Sequence, residues 1–96
     1  MIELMRFRLS PGADMEGFMA ADKRLQMEFA YQQPGLLRRT TARSADGSWL
    51  VVDLWRSAAD ADACAARWDS DPVVAAFMAF LDRDTVVSER YDELGG

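Results

Sequence analysis

The sequence predicts one α+β domain, residues 1–96, whose elements run in the order β-α-β-β-α-β. Extended segments of apolar residues enclose two stretches in which apolar residues recur every three or four positions, as on one face of a helix. An Asp-Gly pair between two extended segments is typical of a β-hairpin turn. A chain of 96 residues has the length of a single small domain, which buries roughly 60–70% of its unfolded surface.

The first half of the chain predicts a strand, a helix and an edge strand. Residues 2–9 form the strand, which ends at a Ser-Pro-Gly sequence. Asp14 is the expected N-cap of the helix, and Pro34 with Gly35 ends it. Residues 36–44 are rich in arginine and threonine, which favours an edge strand. The expected buried stripe of the helix is Met15, Phe18, Met19, Asp22, Leu25 and Phe29.

The second half of the chain predicts the central strand, a second helical region and a last strand. Residues 49–56 are the most apolar extended segment and should lie inside the sheet. Ser57 is the expected cap of the second helix, and Asp71-Pro72 starts a further short helix. Residues 85–91 form the last strand. This order is the ferredoxin-like arrangement, a four-stranded antiparallel sheet with the helices on one face.

The central strand is apolar on both of its faces. One face carries three aliphatic residues, and the other carries two tryptophans, a valine and one acid: Leu50, Val52 and Leu54 against Trp49, Val51, Trp55 and Asp53. Helices on one side of the sheet cover only one of these faces, and a large bare apolar patch usually marks an interface. We therefore expect a homodimer formed through the sheet face away from the helices.

Composition excludes several classes of function. The net charge of −5 has the wrong sign for generic binding of nucleic acid. The chain has no histidine, which removes the usual zinc sites, histidine haem ligation and His-activated nucleophiles. The single cysteine, Cys64, cannot form an intrachain disulfide, and no apolar run approaches the ~20 residues of a membrane span or reads as a signal peptide. We expect a cytoplasmic protein with no metal, cofactor, membrane or nucleic-acid partner.

The hairpin turn predicts which side chains meet. With Asp46 and Gly47 as a two-residue loop, counting back along the strands places Arg38 opposite Trp55 and Thr40 opposite Asp53. Arg38, Asp53 and Trp55 would then form a polar group on one sheet face. An adjacent arginine should hold the pKa of Asp53 low, which argues against Asp53 as a base. The alternative to a functional site is that Arg38 and Asp53 form an ion pair that only stabilises the sheet.

The chain resembles the dimeric α+β barrel superfamily, particularly its antibiotic-biosynthesis-monooxygenase branch. The resemblance rests on the element order, on QPGLLRRT at the second strand and on DGSWLVVDLWRSAADADA after it. It implies a homodimer and a ligand between helices and sheet. In the haem-degrading members a Trp at the position of Trp55 borders the pocket, and the iron-binding His aligns with Phe77. That substitution, with the absence of any Asn in this chain, implies that haem is not degraded here.

The quinone-forming members of this branch use no metal or flavin. They deprotonate a phenolic substrate and let the resulting anion react with O₂. The resemblance therefore implies a monooxygenase that needs no cofactor and acts on a phenolic or polycyclic aromatic molecule. The candidate pocket residues are Trp55, Asp53, Arg38, Tyr31, Phe77 and Trp68.

Other functions remain open from the sequence. An RNA-recognition module needs closely spaced aromatics, but Trp49 and Trp55 lie ~20 Å apart along a strand. A non-catalytic small-molecule-binding domain and a scaffold dimer are both compatible with the chain. A cavity of a few hundred Å³ between helices and sheet would favour a ligand. A gap filled by bulky side chains would favour a scaffold, and the side chains able to fill it are Phe29, Trp68, Phe77 and Met78.

Overall fold

A computed structural model describes residues 1–96 and contains four strands, three α-helices and one short 3₁₀ turn. The antiparallel sheet has the order β2-β3-β1-β4, which confirms the predicted ferredoxin-like arrangement, with the apolar β3 inside the sheet and β2 at its edge. β4 begins four residues earlier than predicted. No helix is both long and apolar enough to cross a bilayer. The elements are β1 Ile2–Leu9, α1 Met15–Glu28, the 3₁₀ turn Ala30–Gln32, β2 Leu36–Arg43, β3 Trp49–Trp55, α2 Ala58–Trp68, α3 Pro72–Met78 and β4 Leu81–Tyr91.

Each helix begins at the residue that the sequence predicts. The Asp14 carboxylate accepts a hydrogen bond from the Glu16 backbone N–H at 3.2 Å and caps α1. Ser57 Oγ accepts from the Asp60 N–H at 3.2 Å, and the Asp60 carboxylate accepts from Ser57 Oγ at 2.8 Å. Asp71 caps α3, which has a proline in its first turn. These bonds satisfy backbone donors that have no partner inside a helix.

An aromatic cluster fills one half of the space between helices and sheet. Phe7 from β1 meets the Phe18 and Phe77 rings edge-on, each with ring centroids 5.9 Å apart. Phe18 also packs on Trp49 at 4.8 Å. Phe7, Phe18 and Phe77 are almost completely buried. These three phenylalanines therefore form a closed aromatic core.

The predicted stripe of α1 is wrong at two positions. Met15 and Met19 are 42% and 45% exposed, whereas Phe18, Asp22 and Leu25 are buried. Since each residue turns a helix by about 100°, Met15 and Met19 lie about 60–100° around the axis from Phe18. They border the buried face of α1 without joining it.

The β2–β3 hairpin has a three-residue loop, so the predicted pairing register is wrong by one residue. Ser44 N–H donates to Ser48 O at 2.8 Å, and Gly47, at φ +89°, completes the turn. This is the three-residue hairpin with glycine in the left-handed region. The shift pairs Arg39 with Asp53, and Arg38 with Leu54. Because side chains alternate along a strand, the two arginines exchange faces.

The sheet face away from the helices, which we call the open face, is apolar at its centre. Within the chain, Leu4 lies opposite Val52, and Ile2 lies opposite Leu54. The aliphatic side chains of β1 and β3 on this face are half-buried, and Val87 on β4 is 52% exposed. No helix of the same chain packs against this face.

Candidate functional site

The second half of the helix–sheet space contains a cavity of about 280 Å³. This volume lies just below the ~300–1,000 Å³ common for small-molecule sites. The cavity exists because α2 turns small side chains, Ala61 and Cys64, toward β3. Its apolar wall is formed mainly by Met5, Leu25, Phe29, Leu36, Val51, Trp55, Trp68, Met78 and Val86.

The opening of the cavity lies between α2 and β4. The exposed residues of its wall are Ala65 on α2, Asp69 at the C-cap of α2 and Ser88 on β4. The opposite end is closed by buried residues of α1 and β3.

Four charged residues form a row across the helix-facing side of the sheet at the cavity. Strand pairing makes each of them the neighbour of the next, from one edge of the sheet to the other. We call this set the charge row: Arg39 on β2, Asp53 on β3, Glu3 on β1 and Arg90 on β4. Three of its members, Arg39, Asp53 and Glu3, line the cavity.

The arginine at one end of the charge row is bound to α1. Arg39 Nη2 lies 2.8 Å from Asp22 Oδ1, and the two residues are 5% and 6% exposed. Arg39 Nη1 donates to Gln26 Oε1 and Thr41 Oγ1, both at 3.3 Å. Thr41 Oγ1 in turn donates to Asp22 Oδ1 at 3.0 Å. A buried ion pair needs such supporting bonds to offset its desolvation cost.

The arginine at the other end of the charge row is bound to α2. Arg90 Nη1 lies 2.6 Å from Asp62 Oδ1, and Arg90 Nε lies 2.8 Å from Glu3 Oε2. Both arginines and Glu3 are thus occupied by ion pairs. Asp53, at the middle of the row, has none.

Asp53 and Trp55 line the cavity, and each has a buried polar atom without a partner. Asp53 Oδ1 and Trp55 Nε1 are buried and make no hydrogen bond. Such groups are rare in proteins, since an unsatisfied buried polar atom costs ~1–3 kcal/mol. One is an acceptor and the other a donor, and they are two residues apart on the same face of β3. Neither atom has a partner within the chain.

Burial raises the pKa of Asp53 from 3.8 to about 6. The Arg39 charge lowers this pKa, but the nearby Glu3 and Asp22 carboxylates raise it further. The expectation that an adjacent arginine holds the pKa low is therefore wrong. Arg39 is neighbour to Asp53 across the strands, but its guanidinium is bonded to Asp22. Asp53 is consequently a stronger base than an ordinary aspartate.

Cys64 is also in the cavity wall, but its thiol is not poised for reaction. Burial raises the pKa of Cys64 to about 11, and the negative charges of Asp53 and Glu3 add to the effect. The thiol is therefore protonated near neutral pH, and nucleophilic thiolate chemistry is disfavoured.

Three of the predicted pocket residues line the cavity: Trp55, Asp53 and Trp68. The Trp68 ring packs edge-on against Phe29 at 5.8 Å and forms a side wall without filling the gap. Arg38 lies on the open face because of the register shift, and it does not meet Asp53. Arg39 lies on the sheet face that was predicted for Arg38, but opposite Asp53 and not opposite Trp55.

Tyr31 and Phe77 lie outside the cavity wall. Tyr31 Oη accepts from the Arg39 N–H at 3.0 Å and donates to the Arg39 carbonyl at 3.3 Å, so it ties the 3₁₀ turn to the edge strand. Phe77 is 0% exposed and belongs to the aromatic cluster. Tyr31 and Phe77 therefore do not share a pocket with Trp55, contrary to the prediction.

Sequence reasoning did not identify Asp22, Arg39 or Glu3 as part of the site. Asp22 carried a signal, because it is the one acid within the apolar stripe predicted for α1. A charged residue in such a position is rarely buried without a partner. Glu3 gave a weaker signal, on the same face of β1 as Met5 and Phe7.

Comparison with known proteins places this fold among oxygenase-like structures. A mutant form of SnoaB, a cofactor-independent oxygenase from Streptomyces nogalater, matches with TM-score 0.78 and 23% identity over 99% of this chain and 93% of that chain. A Caulobacter crescentus protein, provisionally assigned as an antibiotic biosynthesis monooxygenase, matches with TM-score 0.76 and 17% identity over 98% and 89%. A similarly assigned protein from Nitrosomonas europaea gives 0.65 and 14% over 97% and 88%.

No protein-family model and no curated protein matches the chain. Because the sequence identities of the structural matches are below 25%, the matches show a similar backbone fold and give no information about the substrate. The chain therefore shares the α+β fold of these structures, which confirms the fold that the resemblance implies.

Proposed function

We propose that the protein is a cofactor-independent monooxygenase that acts on a phenolic or polycyclic aromatic molecule. The observation that carries the proposal is the unpartnered carboxylate of Asp53 in the wall of a largely apolar cavity of about 280 Å³. Burial raises the pKa of Asp53 to about 6, which is near the value that suits a general base at neutral pH. The likeness in fold to a cofactor-independent oxygenase agrees with this chemistry.

In the proposed reaction Asp53 accepts a proton from a ring hydroxyl or from an acidic methylene of the substrate. The electron pair of the broken bond stays on the substrate, and the resulting anion reduces O₂ and forms a C–O bond. Protonation gives a hydroperoxide. Loss of water then breaks the O–O bond and leaves a ring ketone, so each turnover consumes one O₂ and releases one H₂O. The substrate supplies all the electrons.

Trp55 has a separate role in this proposal. Its indole Nε1–H is a neutral donor in the same wall as Asp53 and is free of other partners. It would donate to a substrate oxygen on which negative charge develops. Preorganised donors of this kind stabilise a transition state because they need no reorganisation during the reaction.

Oxygen consumption with monohydric phenols, naphthols and anthrones tests the proposal. We expect Asp53→Asn to lower kcat by about 100-fold or more with a substrate that is turned over, since general-base catalysis contributes ~10²–10⁴. Asp84→Asn, at an exposed position of β4 outside the cavity, is the matched control and should keep full activity. No oxygen uptake with any member of the panel contradicts the proposal, as does full activity of Asp53→Asn.

Ligand binding without turnover is the second candidate function. The unpartnered acceptor and donor in the cavity wall favour it as much as they favour catalysis, because both atoms need only a bound molecule. Binding of aromatic ligands without oxygen uptake would support this candidate. A scaffold without a ligand is less well supported, since the bulky side chains leave the cavity open.

We also propose that two copies of the chain associate through their open faces. Support comes from the apolar centre of that face, where Leu4 and Val52 are neighbours and no helix covers them. Light scattering should give twice the chain mass of 10.8 kDa. Val52→Glu should yield the monomer mass, and Ala66→Glu, on the exposed side of α2, should not. A monomeric wild-type protein at micromolar concentration would contradict the proposal.

A further inference from the structure

We propose that the cavity binds its ligand as a neutral hydrogen-bond donor and discriminates against an anion of similar size, and that Asp22 sets this preference by holding Arg39. The inference rests on the proposed function only in taking the cavity as the ligand site. It names the charge state of the ligand, which the fold does not. Asp22 makes no contact with the cavity, so its role is that of a positioning residue.

The first support is the charge of the cavity wall. Glu3, Asp53 and Asp69 are its acidic members, and Arg39 is its one cation. Glu3 is paired with Arg90 and Arg39 is paired with Asp22, so the unpaired charges of the wall are those of Asp53 and Asp69. Both are negative, and they give a negative potential at the place where a ligand would lie. An anionic ligand is unfavourable there unless the arginine is free to compensate it.

The second support is the state of that arginine. Arg39 Nη2 is used by Asp22, and Nη1 is used by Gln26 and Thr41, so the guanidinium is bonded to α1 and to its own strand. The Asp22 carboxylate also neutralises its charge at 2.8 Å. Holding an anion would require Arg39 to leave a buried ion pair, and the charge of Asp22 would then lack a partner.

The third support is what the wall offers in place of a cation. Asp53 Oδ1 is a buried acceptor without a donor, and Trp55 Nε1 is a buried neutral donor without an acceptor. A neutral hydroxyl group donates to a carboxylate in a charge-assisted hydrogen bond, whereas an oxyanion in that position repels it. Arg90, the other arginine of the charge row, does not offset the repulsion of an oxyanion, because its guanidinium is bound to Glu3 and Asp62.

Three naphthalene ligands separate the alternatives when binding is measured anaerobically by quenching of tryptophan fluorescence. At pH 8, we expect 2-naphthol to bind about tenfold more tightly than 2-methoxynaphthalene, which has no donor. It should bind at least about tenfold more tightly than 2-naphthoate, which is an anion. At pH 5, where Asp53 is protonated because its pKa is about 6, the discrimination against 2-naphthoate should weaken.

Two variants assign the preference to residues. Asp53→Asn removes the central negative charge and should narrow the ratio of naphthol to naphthoate affinity to within about threefold. Asp22→Asn leaves the charge of Arg39 uncompensated and should tighten binding of naphthoate. Asp84→Asn should change neither affinity. If Asp22→Asn does not fold, the three ligands on the wild-type protein and on Asp53→Asn still decide the charge preference.

The possible outcomes distinguish this inference from the proposed function. Tighter binding of 2-naphthoate than of 2-naphthol at pH 8 overturns the inference and leaves the oxygenase proposal standing. An unchanged ratio in folded Asp22→Asn overturns the role of Asp22. Preferential binding of 2-naphthol without any oxygen uptake in air supports the inference and contradicts the oxygenase proposal. If none of the three ligands binds, the cavity is not an aromatic site, and both fall.

Discussion

Arg39→Ala should lower the free energy of unfolding by about 3–5 kcal/mol, the usual cost of leaving one partner of a buried ion pair alone. The Asp22 carboxylate would keep Thr41 as a partner but lose its only cation. Since the total stability of a small domain is ~5–15 kcal/mol, this change should be among the most damaging single substitutions in the chain. Urea unfolding at pH 7.5 and constant protein concentration measures the loss.

The neighbouring residue provides a matched control for this prediction. Arg38 has the same chemistry and the same strand, but it lies exposed on the other face. Arg38→Ala should therefore change stability by less than about 0.5 kcal/mol. The joint replacement Asp22→Leu with Arg39→Met should cost much less than Arg39→Ala, because no charge is left buried. Equal losses for Arg38→Ala and Arg39→Ala would contradict the buried ion pair of Arg39 with Asp22.

Asp53→Asn should raise the free energy of unfolding at pH 8 by about 2 kcal/mol while it removes the proposed activity. The pKa of Asp53 is raised from 3.8 to about 6 in the folded protein. Between these two values the folded chain binds more protons than the unfolded chain, so stability falls as the pH rises. Above about pH 6 the folded protein carries the full cost of a buried charge, and asparagine avoids it. A shift of two pKa units corresponds to about 2.7 kcal/mol at most.

The gain in stability of Asp53→Asn should depend on pH, and this dependence distinguishes removal of a buried charge from other causes of stabilisation. Well below pH 3.8 Asp53 is protonated in both states, so the advantage of asparagine should be small at pH 4 and disappear at lower pH. Thermal unfolding of wild type and Asp53→Asn at pH 4, 6 and 8 measures the difference. Asp84→Asn should show no comparable trend, because that residue is exposed. A loss of stability at pH 8 in Asp53→Asn would show that the carboxylate is satisfied, contrary to its unpartnered Oδ1.

Local signals in the sequence were enough to predict the elements and their order. Asp14, Ser57 and Asp71 act through side-chain bonds to the next few backbone N–H groups, so neighbouring residues alone determine these helix starts. The position of β3 inside the sheet followed from its apolar character on both faces. Features that depend on a few adjacent residues can be predicted from the sequence alone.

The composition of the site depended on a detail that the sequence does not decide. An Asp-Gly pair fits either a two-residue or a three-residue hairpin loop, and the difference of one residue chooses between Arg38 and Arg39. The direction of the pKa shift of Asp53 was also mispredicted. It depends on whether the Arg39 guanidinium binds Asp53 or Asp22. That choice is made by the packing of α1 on the sheet, 17 residues away in the chain.

The small side chains of α2 have a consequence for how the protein can change. The chemistry of the site is carried by the sheet, whereas the room available to a ligand is set by Ala61 and Cys64 on a separate layer. A single substitution on that helix can resize the ligand that fits without disturbing the proton acceptor. Under the proposed function, α2 would therefore determine the size of the ligand and β3 would supply the proton acceptor, so the two properties would depend on separate layers of the fold.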